Sequence, residues 1–325
     1  MKAIQFARFG APDVLELVEL PIPELRRDEV LVRVHAAGVN FFEVLMRADR
    51  YAVTPELPMF PGVEIAGVVE RAGPDADISL VGTRVAVPLF AIGRGGGYAE
   101  FVAVDGGSVL RLPNAISFEA AVGLMVQGLT ALHLTRRSLP KGKSVLVSAA
   151  AGGVGSLLLQ LARRNGAELV IAAASGEKRR ALALSLGADH AVDYTAPGWQ
   201  EEVRKHSGGR GADIIYETVG GVSSKAAVDA LAPRGELVLA AMGRFGLKAE
   251  EIERMLGDNQ SIKGFSLLPL LTPRRLREDL GELFDLAATG RLTVVEGSRF
   301  PLDQAAEAHR TIEERRAVGK VVLVP

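Results

Sequence analysis

The chain has 325 residues, 48% of them hydrophobic and 24% charged, with 36 Gly, 16 Pro and no Cys. At about 100–200 residues per domain it is long enough for two domains. Its 38 basic and 39 acidic residues leave a net charge of −1, so no global basic field draws in nucleic acid or an anionic membrane surface. Without Cys there are no disulfides, thiolate nucleophiles, iron–sulfur clusters or thiolate zinc sites.

Charges at Lys2, Arg8, Asp13, Glu16 and Glu19 break up the apolar run that a secretory signal needs. The longest uncharged stretch, residues 144–162, has the length of a membrane span. Gly152, Gly153 and Gly155 interrupt it, with β-branched residues before them and leucines at helical spacing after them, which predicts strand, turn and helix. A soluble cytoplasmic protein is expected, with no membrane association.

Residues 1–115 read as β-rich, in short alternating apolar runs (30–35, 64–70, 83–87) broken by Gly73, Pro74 and Gly82. Residues 93–97 (GRGGG) read as a loop, either a mobile flap or a flexible turn. Residues 118–136 have helical spacing, ended by Pro140-Lys141-Gly142. Strands are then predicted near 144–148, 168–173, 190–192, 213–217, 236–241 and 261–266, with helices over 154–164, 177–186, 199–206 and 223–231. Alternation of this kind implies an α/β fold with a doubly wound, six-stranded parallel sheet. After Pro269 two helical stretches and a strand over 320–324 follow.

Residues 145–156 (VLVSAAAGGVGS) place Ala150, Gly152 and Gly155 in the G-x-G-x-x-G register. The run follows a predicted strand, opens a helix and starts a βαβ unit, the context that a dinucleotide site requires. Glycines give a tight turn and a backbone without Cβ where a pyrophosphate approaches, and the helix N-terminus supplies N–H groups and partial positive charge. An NAD site usually carries Asp or Glu at the end of the second strand, for the ribose 2′-hydroxyl. Here that strand ends AAASG, with Ser175 and then Lys178 and Arg179, leaving room and charge for a 2′-phosphate. NADP(H) is favoured, the competing reading being that these two cations belong to a solvated helix face.

With these residues in view, the chain resembles the zinc-independent quinone oxidoreductase (zeta-crystallin-like) branch of the medium-chain dehydrogenase/reductase superfamily. The match runs through residues 34–41 (VHAAGVNF), 60–69 (FPGVEIAGVV), 127–131 (QGLTA), the 149–155 cradle and 319–323 (GKVVL). It implies a GroES-like catalytic domain made of residues 1–122 and 268–325, around a Rossmann NADP-binding domain of residues 123–267. Zinc members of the superfamily carry Cys where this chain has Asn40, and Gly-His-Glu where it has Gly62-Val63-Glu64, so no metal site is expected. Hydride transfer to an acceptor that is already electrophilic remains, a quinone or a similar conjugated carbonyl.

The resemblance implies that Asn40 lies near the nicotinamide as a donor to the acceptor oxygen, with Tyr51 as a second donor or an aromatic wall and Gln127 in the same cleft. It places Thr130, Ala151, Gly152, Gly153, Val154, Gly155, Ser175, Lys178, Tyr194, Val219, Met242, Gly243 and Phe265 around the cofactor. For Tyr194 and Phe265 plain packing competes, and Arg315 and Arg316 read as a solvated face. It also implies a homodimer through the edge strand of the Rossmann sheet.

None of the five His pairs with another at metal-ligand spacing, and no G-x-S-x-G elbow supports serine hydrolysis. Three functions compete. They are an NADPH-dependent quinone reductase, an enoyl or alkenal reductase acting on a carbon–carbon double bond, and a non-catalytic NADPH-binding structural protein.

Overall fold

A computed structural model describes residues 1–241 and 246–325 and divides into two compact units, residues 1–126 with 271–325 and residues 127–270. The first opens with β1 (Lys2–Gln5) and β2 (Glu16–Glu19), an antiparallel pair, followed by the long β3 (Glu29–Val39). Next come α1 (Phe41–Arg47), β4 (Ile65–Ala72), β5 (Arg84–Val87), β6 (Phe101–Asp105), β7 (Leu110–Arg111) and α2 (Phe118–Gly123). Ser117 caps α2 by accepting the Ala120 N–H at 2.9 Å. A π-turn, Leu124–Gly128, then carries the chain across the boundary at residues 126 and 127. The helix expected as continuous over 118–136 is therefore broken by an inserted turn of the kind that recurs at functional sites.

The second unit runs α3 (Leu129–Arg137), β8 (Ser144–Val147), α4 (Gly153–Arg164), β9 (Leu169–Ala173), α5 (Glu177–Ser185), β10 (His190–Val192) and α6 (Trp199–His206). It continues through β11 (Ala212–Glu217), α7 (Val222–Asp229), β12 (Leu231–Leu239), α8 (Ala249–Gly257) and β13 (Ser261–Gly264). All neighbours in its six-stranded sheet are parallel, in the order β10-β9-β8-β11-β12-β13. Val145, Leu146 and Val147 are at most 1% exposed, as expected of a strand covered on both faces. Their apolar run, not an alternation, marks a buried parallel strand.

The chain then returns to the first unit through α9 (Pro273–Ala288), β14 (Glu296–Pro301), α10 (Ala305–Glu313) and β15 (Lys320–Val324). Here the sheet order is β14-β15-β3-β4-β5-β7, with β6 also paired to β3. The length of β3 permits this: residues 29–33 pair with β6, and residues 37–39 pair with β15. The tail is thus part of the first unit's core, where Val321 and Leu323 pack with Val32, Val34 and Ile65. Among the described residues no helix is long and apolar enough to cross a membrane.

Candidate active site

The cradle lies where β8 ends. Ala149 takes a positive φ of 45° and the Gly152 N–H donates to its carbonyl at 2.8 Å, so that α4 starts at Gly153. A Cβ on Gly155 would lie 2.8 Å from Ala150 Cα and closer still to the Ala149 carbonyl oxygen, so this glycine is bare to let the helix pack on the turn. Gly153 is bare for another reason: a Cβ there would run into the side-chain amide of Gln127. Among the described residues, a Cβ at Gly152 would meet the Ala149 carbonyl alone, at 3.2 Å. Of the three glycines, then, two serve the chain's own packing and Gly152 leaves the opening. Ala151 is buried beside it. Among the described residues no side chain caps α4, so the N–H groups of its first turn, around Val154, have no carbonyl to bond within the helix and present the positive end of the dipole, suited to an anion.

Strands β8 and β11 are neighbours at which the sheet order reverses, the place where a ligand lies in such sheets. Their ends are tied together, since Ser148 Oγ accepts the Thr218 N–H at 2.8 Å and donates to the Tyr216 carbonyl at 3.1 Å. Next to them Glu217, 1% exposed, accepts the N–H groups of Val219 at 2.5 Å and Gly220 at 2.9 Å and the Ser223 hydroxyl at 3.2 Å. Burial raises its pKa while those donors oppose the rise. This carboxylate shapes the loop that carries Val219.

At the end of β9, Ser175 Oγ accepts from Arg179 Nη1 at 2.9 Å, with Lys178 exposed beside them. The structure also brings an acid here from the neighbouring strand. Asp193 Oδ2 accepts the Gly176 N–H at 3.3 Å and Arg180 Nη1 at 2.5 Å, while Oδ1 takes the Thr195 hydroxyl and N–H. Those bonds, the Thr195 hydroxyl foremost, pull Asp193 down to about 2. Arg180 balances this carboxylate. Tyr194 follows β10 half-buried against the core, and Phe265 lies just past β13, its N–H bonded to the Leu239 carbonyl at 2.9 Å rather than within the strand. Thr130 sits half-buried in the first turn of α3. Met242 and Gly243 lie outside the described residues.

In the first unit, Asn40 joins β3 to α1 and is 2% exposed. Its Nδ2 donates to Glu64 Oε1 at 2.8 Å and to Glu43 Oε2 at 3.2 Å, and its Oδ1 accepts from Lys320 Nζ at 2.9 Å. The amide that the resemblance implies as a donor to the acceptor oxygen is therefore engaged within the protein. Lys320 Nζ also reaches Glu64 Oε1 at 2.5 Å, and Glu64 Oε2 accepts the Val126 N–H at 2.8 Å. Glu43 accepts the N–H groups of Asn40 at 3.0 Å and Gly62 at 2.9 Å. Burial first, and the charge of Glu64 second, push Glu43 up to about 7.

Tyr51 is half-buried beyond α1, its ring centroid 5.6 Å from that of Phe42. Burial raises its pKa, so the phenol keeps its proton at neutral pH. Among the described residues no three His, Asp or Glu gather as metal ligands.

Sequence reasoning did not single out Glu43, Lys320, Glu217 or Asp193. Glu43 had a local signal, standing three residues after Asn40 at capping-box spacing. Lys320 had a weaker one, as a charge heading an apolar strand, but its partner Glu64 lies 256 positions away. The stacked rings of His190 and His206, 3.9 Å apart, had none.

A GroES-like unit joined to a Rossmann unit with an anion-binding first turn defines a pyridine-nucleotide oxidoreductase. Residues 26–114 match the alcohol dehydrogenase GroES-like domain, and residues 186–323 match the zinc-binding dehydrogenase domain. The chain is 35% identical to a quinone oxidoreductase of Pseudomonas aeruginosa, over 100% of this chain and 99% of that protein. It is 32% identical to a 2-haloacrylate reductase of Burkholderia, over 97% and 96%. The quinone oxidoreductase of Thermus thermophilus, whose structure was also solved in complex with NADPH, superposes with a TM-score of 0.84 at 36% identity, with all of both chains covered. This chain belongs to the quinone oxidoreductase family of the medium-chain dehydrogenase/reductase superfamily.

Proposed function

We propose that the chain is a zinc-independent, NADPH-dependent quinone oxidoreductase that passes hydride to a quinone or a similar conjugated carbonyl. One observation carries this reading: a dinucleotide cradle accompanies a unit whose buried acid Glu64 already holds a cation, the Lys320 ammonium, shared with the Asn40 amide. With no thiolate in the chain and Lys320 between Asn40 and Glu64, these residues leave no seat for a Lewis-acid metal to acidify an alcohol, so the acceptor must itself be electrophilic.

The residues fit the cofactor. Ala151, Gly152, Gly153, Val154 and Gly155 would hold the pyrophosphate through backbone N–H groups, with Gly152 alone bare toward it, and Ser175, Lys178 and Arg179 would hold the 2′-phosphate. Tyr194, Val219, Phe265 and Thr130 would line the rest. When bound, NADPH supplies the hydride. Tyr51 donates to the acceptor oxygen or walls the ring, and the Gln127 amide orients the reacting end. Asn40 braces the Glu43 carboxylate in the first turn of α1. Solvent supplies the proton.

The 2-haloacrylate reductase relative supports a second reading, reduction of an activated carbon–carbon double bond. NADPH oxidation measured with a panel of benzoquinones and enones separates them. Quinone turnover is expected to dominate; a strong enone preference favours the second reading, and NADPH binding with no turnover of either acceptor favours a structural role.

A homodimer is part of the proposal. β13 is the sheet edge, and Ile262, Leu256 and Leu268 stand 40%, 69% and 57% exposed on and beside it, a surface that natural proteins cover. Such an assembly belongs in the cytoplasm, free of membrane and nucleic acid.

A further inference from the structure

We propose that Lys320 is a positioning residue for the acceptor end of the site, acting through Asn40; this rests on the quinone-reductase reading above. Lys320 is 1% exposed, at the head of β15. A buried ammonium is tolerated only where its partners are well placed, and here they come from two separate stretches of chain, Asn40 at 2.9 Å and Glu64 at 2.5 Å. The fold also makes room for the pair: a Cβ on Gly38 would run into Glu64 Oε1 and lie 2.7 Å from Lys320 Cε.

An Asn amide is nearly symmetric in shape and is oriented only by what surrounds it. Lys320, which can only donate, sits on the oxygen side, while the acceptors Glu43 and Glu64 sit on the nitrogen side. Asn40 is also the N-cap residue of α1; its side chain makes no bond to the first-turn N–H groups, but Glu43, in that turn, accepts both the Asn40 N–H and its Nδ2, so the amide meets the helix start through the Glu43 carboxylate. The first turn of α1 carries Phe42, and Phe42 packs on Tyr51. Lys320 thus sets the amide, the amide braces Glu43 in the first turn of α1, and that turn sets the aromatic wall that an acceptor meets. Removing the ammonium lets the amide turn over and loosens that wall, while the nucleotide cradle, built in the other unit, keeps its geometry.

The test uses Lys320→Met and the double variant Lys320→Met/Glu64→Gln, with three readouts: the thermal midpoint, the NADPH dissociation constant by fluorescence, and kcat and KM for a benzoquinone. Lys320→Met is expected to lose at least tenfold in kcat/KM for the quinone, with NADPH affinity within about twofold of wild type. The double variant removes the unpaired carboxylate charge. It is expected to recover the thermal midpoint but not kcat/KM. Recovery of both would make Lys320 a charge-balancing residue only and overturn the proposal. So would a folded Lys320→Met with wild-type kinetics, or failure of both variants to fold, which would assign Lys320 to core stability alone. Absence of quinone turnover in the wild type would instead refute the reading on which the proposal rests.

Discussion

Gly153→Ala distinguishes a glycine kept bare for the chain from one kept bare for a ligand. The new methyl enters the Gln127 side-chain amide, the far end of a flexible side chain, and leaves the backbone untouched. Forcing Gln127 aside costs about 1–3 kcal/mol as overpacking. Against this, alanine in a first helical turn gains about 0.4–1 kcal/mol by restricting the unfolded chain. The single variant should therefore lose between about 0 and 2.5 kcal/mol net, read by urea unfolding. In a Gln127→Ala background the obstruction is gone, and the same substitution should be neutral or stabilising, a coupling of about 1–3 kcal/mol in the double-mutant cycle. NADPH affinity of Gln127→Ala/Gly153→Ala should stay within a few fold of Gln127→Ala. A tenfold or greater loss of NADPH affinity in that pair would mean that Gly153 faces the cofactor and would refute this assignment. Gly155→Ala is the control: its methyl meets backbone atoms of residues 149 and 150, which cannot swing away, so it should destabilise by about 1–3 kcal/mol or more in either background.

Replacing Lys178 and Arg179 by Ala should weaken NADPH binding by about 1.5–3 kcal/mol, the range for hydrogen bonds to a charged group. NADH affinity should barely move, and equal losses for both coenzymes in a fluorescence titration would remove the 2′-phosphate role. Glu43, raised from 4.5 to about 7 by burial and Glu64, holds its proton in the folded chain after the unfolded chain has released it. Its contribution to stability is therefore complete below pH 4.5 and is lost as pH rises to 7, a fall of about 3 kcal/mol. Chemical denaturation across that window should show the decline in wild type and a flatter profile in Glu43→Gln, at lower absolute stability because an amide cannot accept on both sides. Ala149→Gly should be neutral or stabilise by up to about 1 kcal/mol, because the φ of 45° strains a residue with a Cβ; a thermal midpoint lowered as at an ordinary Ala→Gly site would count against strain in the turn. Ile262→Lys should convert the proposed dimer to monomer in light scattering, and an unchanged mass would place the interface elsewhere.

The second unit was legible because its signals are local. Residues 145–156 hold strand, turn and helix in one run, and each crossover helix lies beside its strand in the chain, so period and glycine spacing suffice to predict the sheet. The pairing of β14 with β15, and of β15 with β3, had no local signal, because β15 meets β3 from the far end of the chain and β14 alternates poorly, with buried residues few along it. Boundaries moved where hydrogen bonding overrode pattern. β12 begins at Leu231, not near 236, because it pairs with β11 from Ala212 onward, and Phe265 falls outside β13.

The sequence by itself determined the dinucleotide cradle, the parallel sheet and the absence of thiolates, since each depends on residue type and near-neighbour spacing. Tertiary structure alone decided what those residues do to one another. It bared Gly153 for Gln127, brought Asp193 to the end of β9, and turned the amide of Asn40 inward between two acids and Lys320. The physical reason is burial. Once the first unit closes, a carboxylate or an ammonium can remain only where partners from distant segments meet it, and which segments meet is fixed by how the sheet pairs, not by their order along the chain.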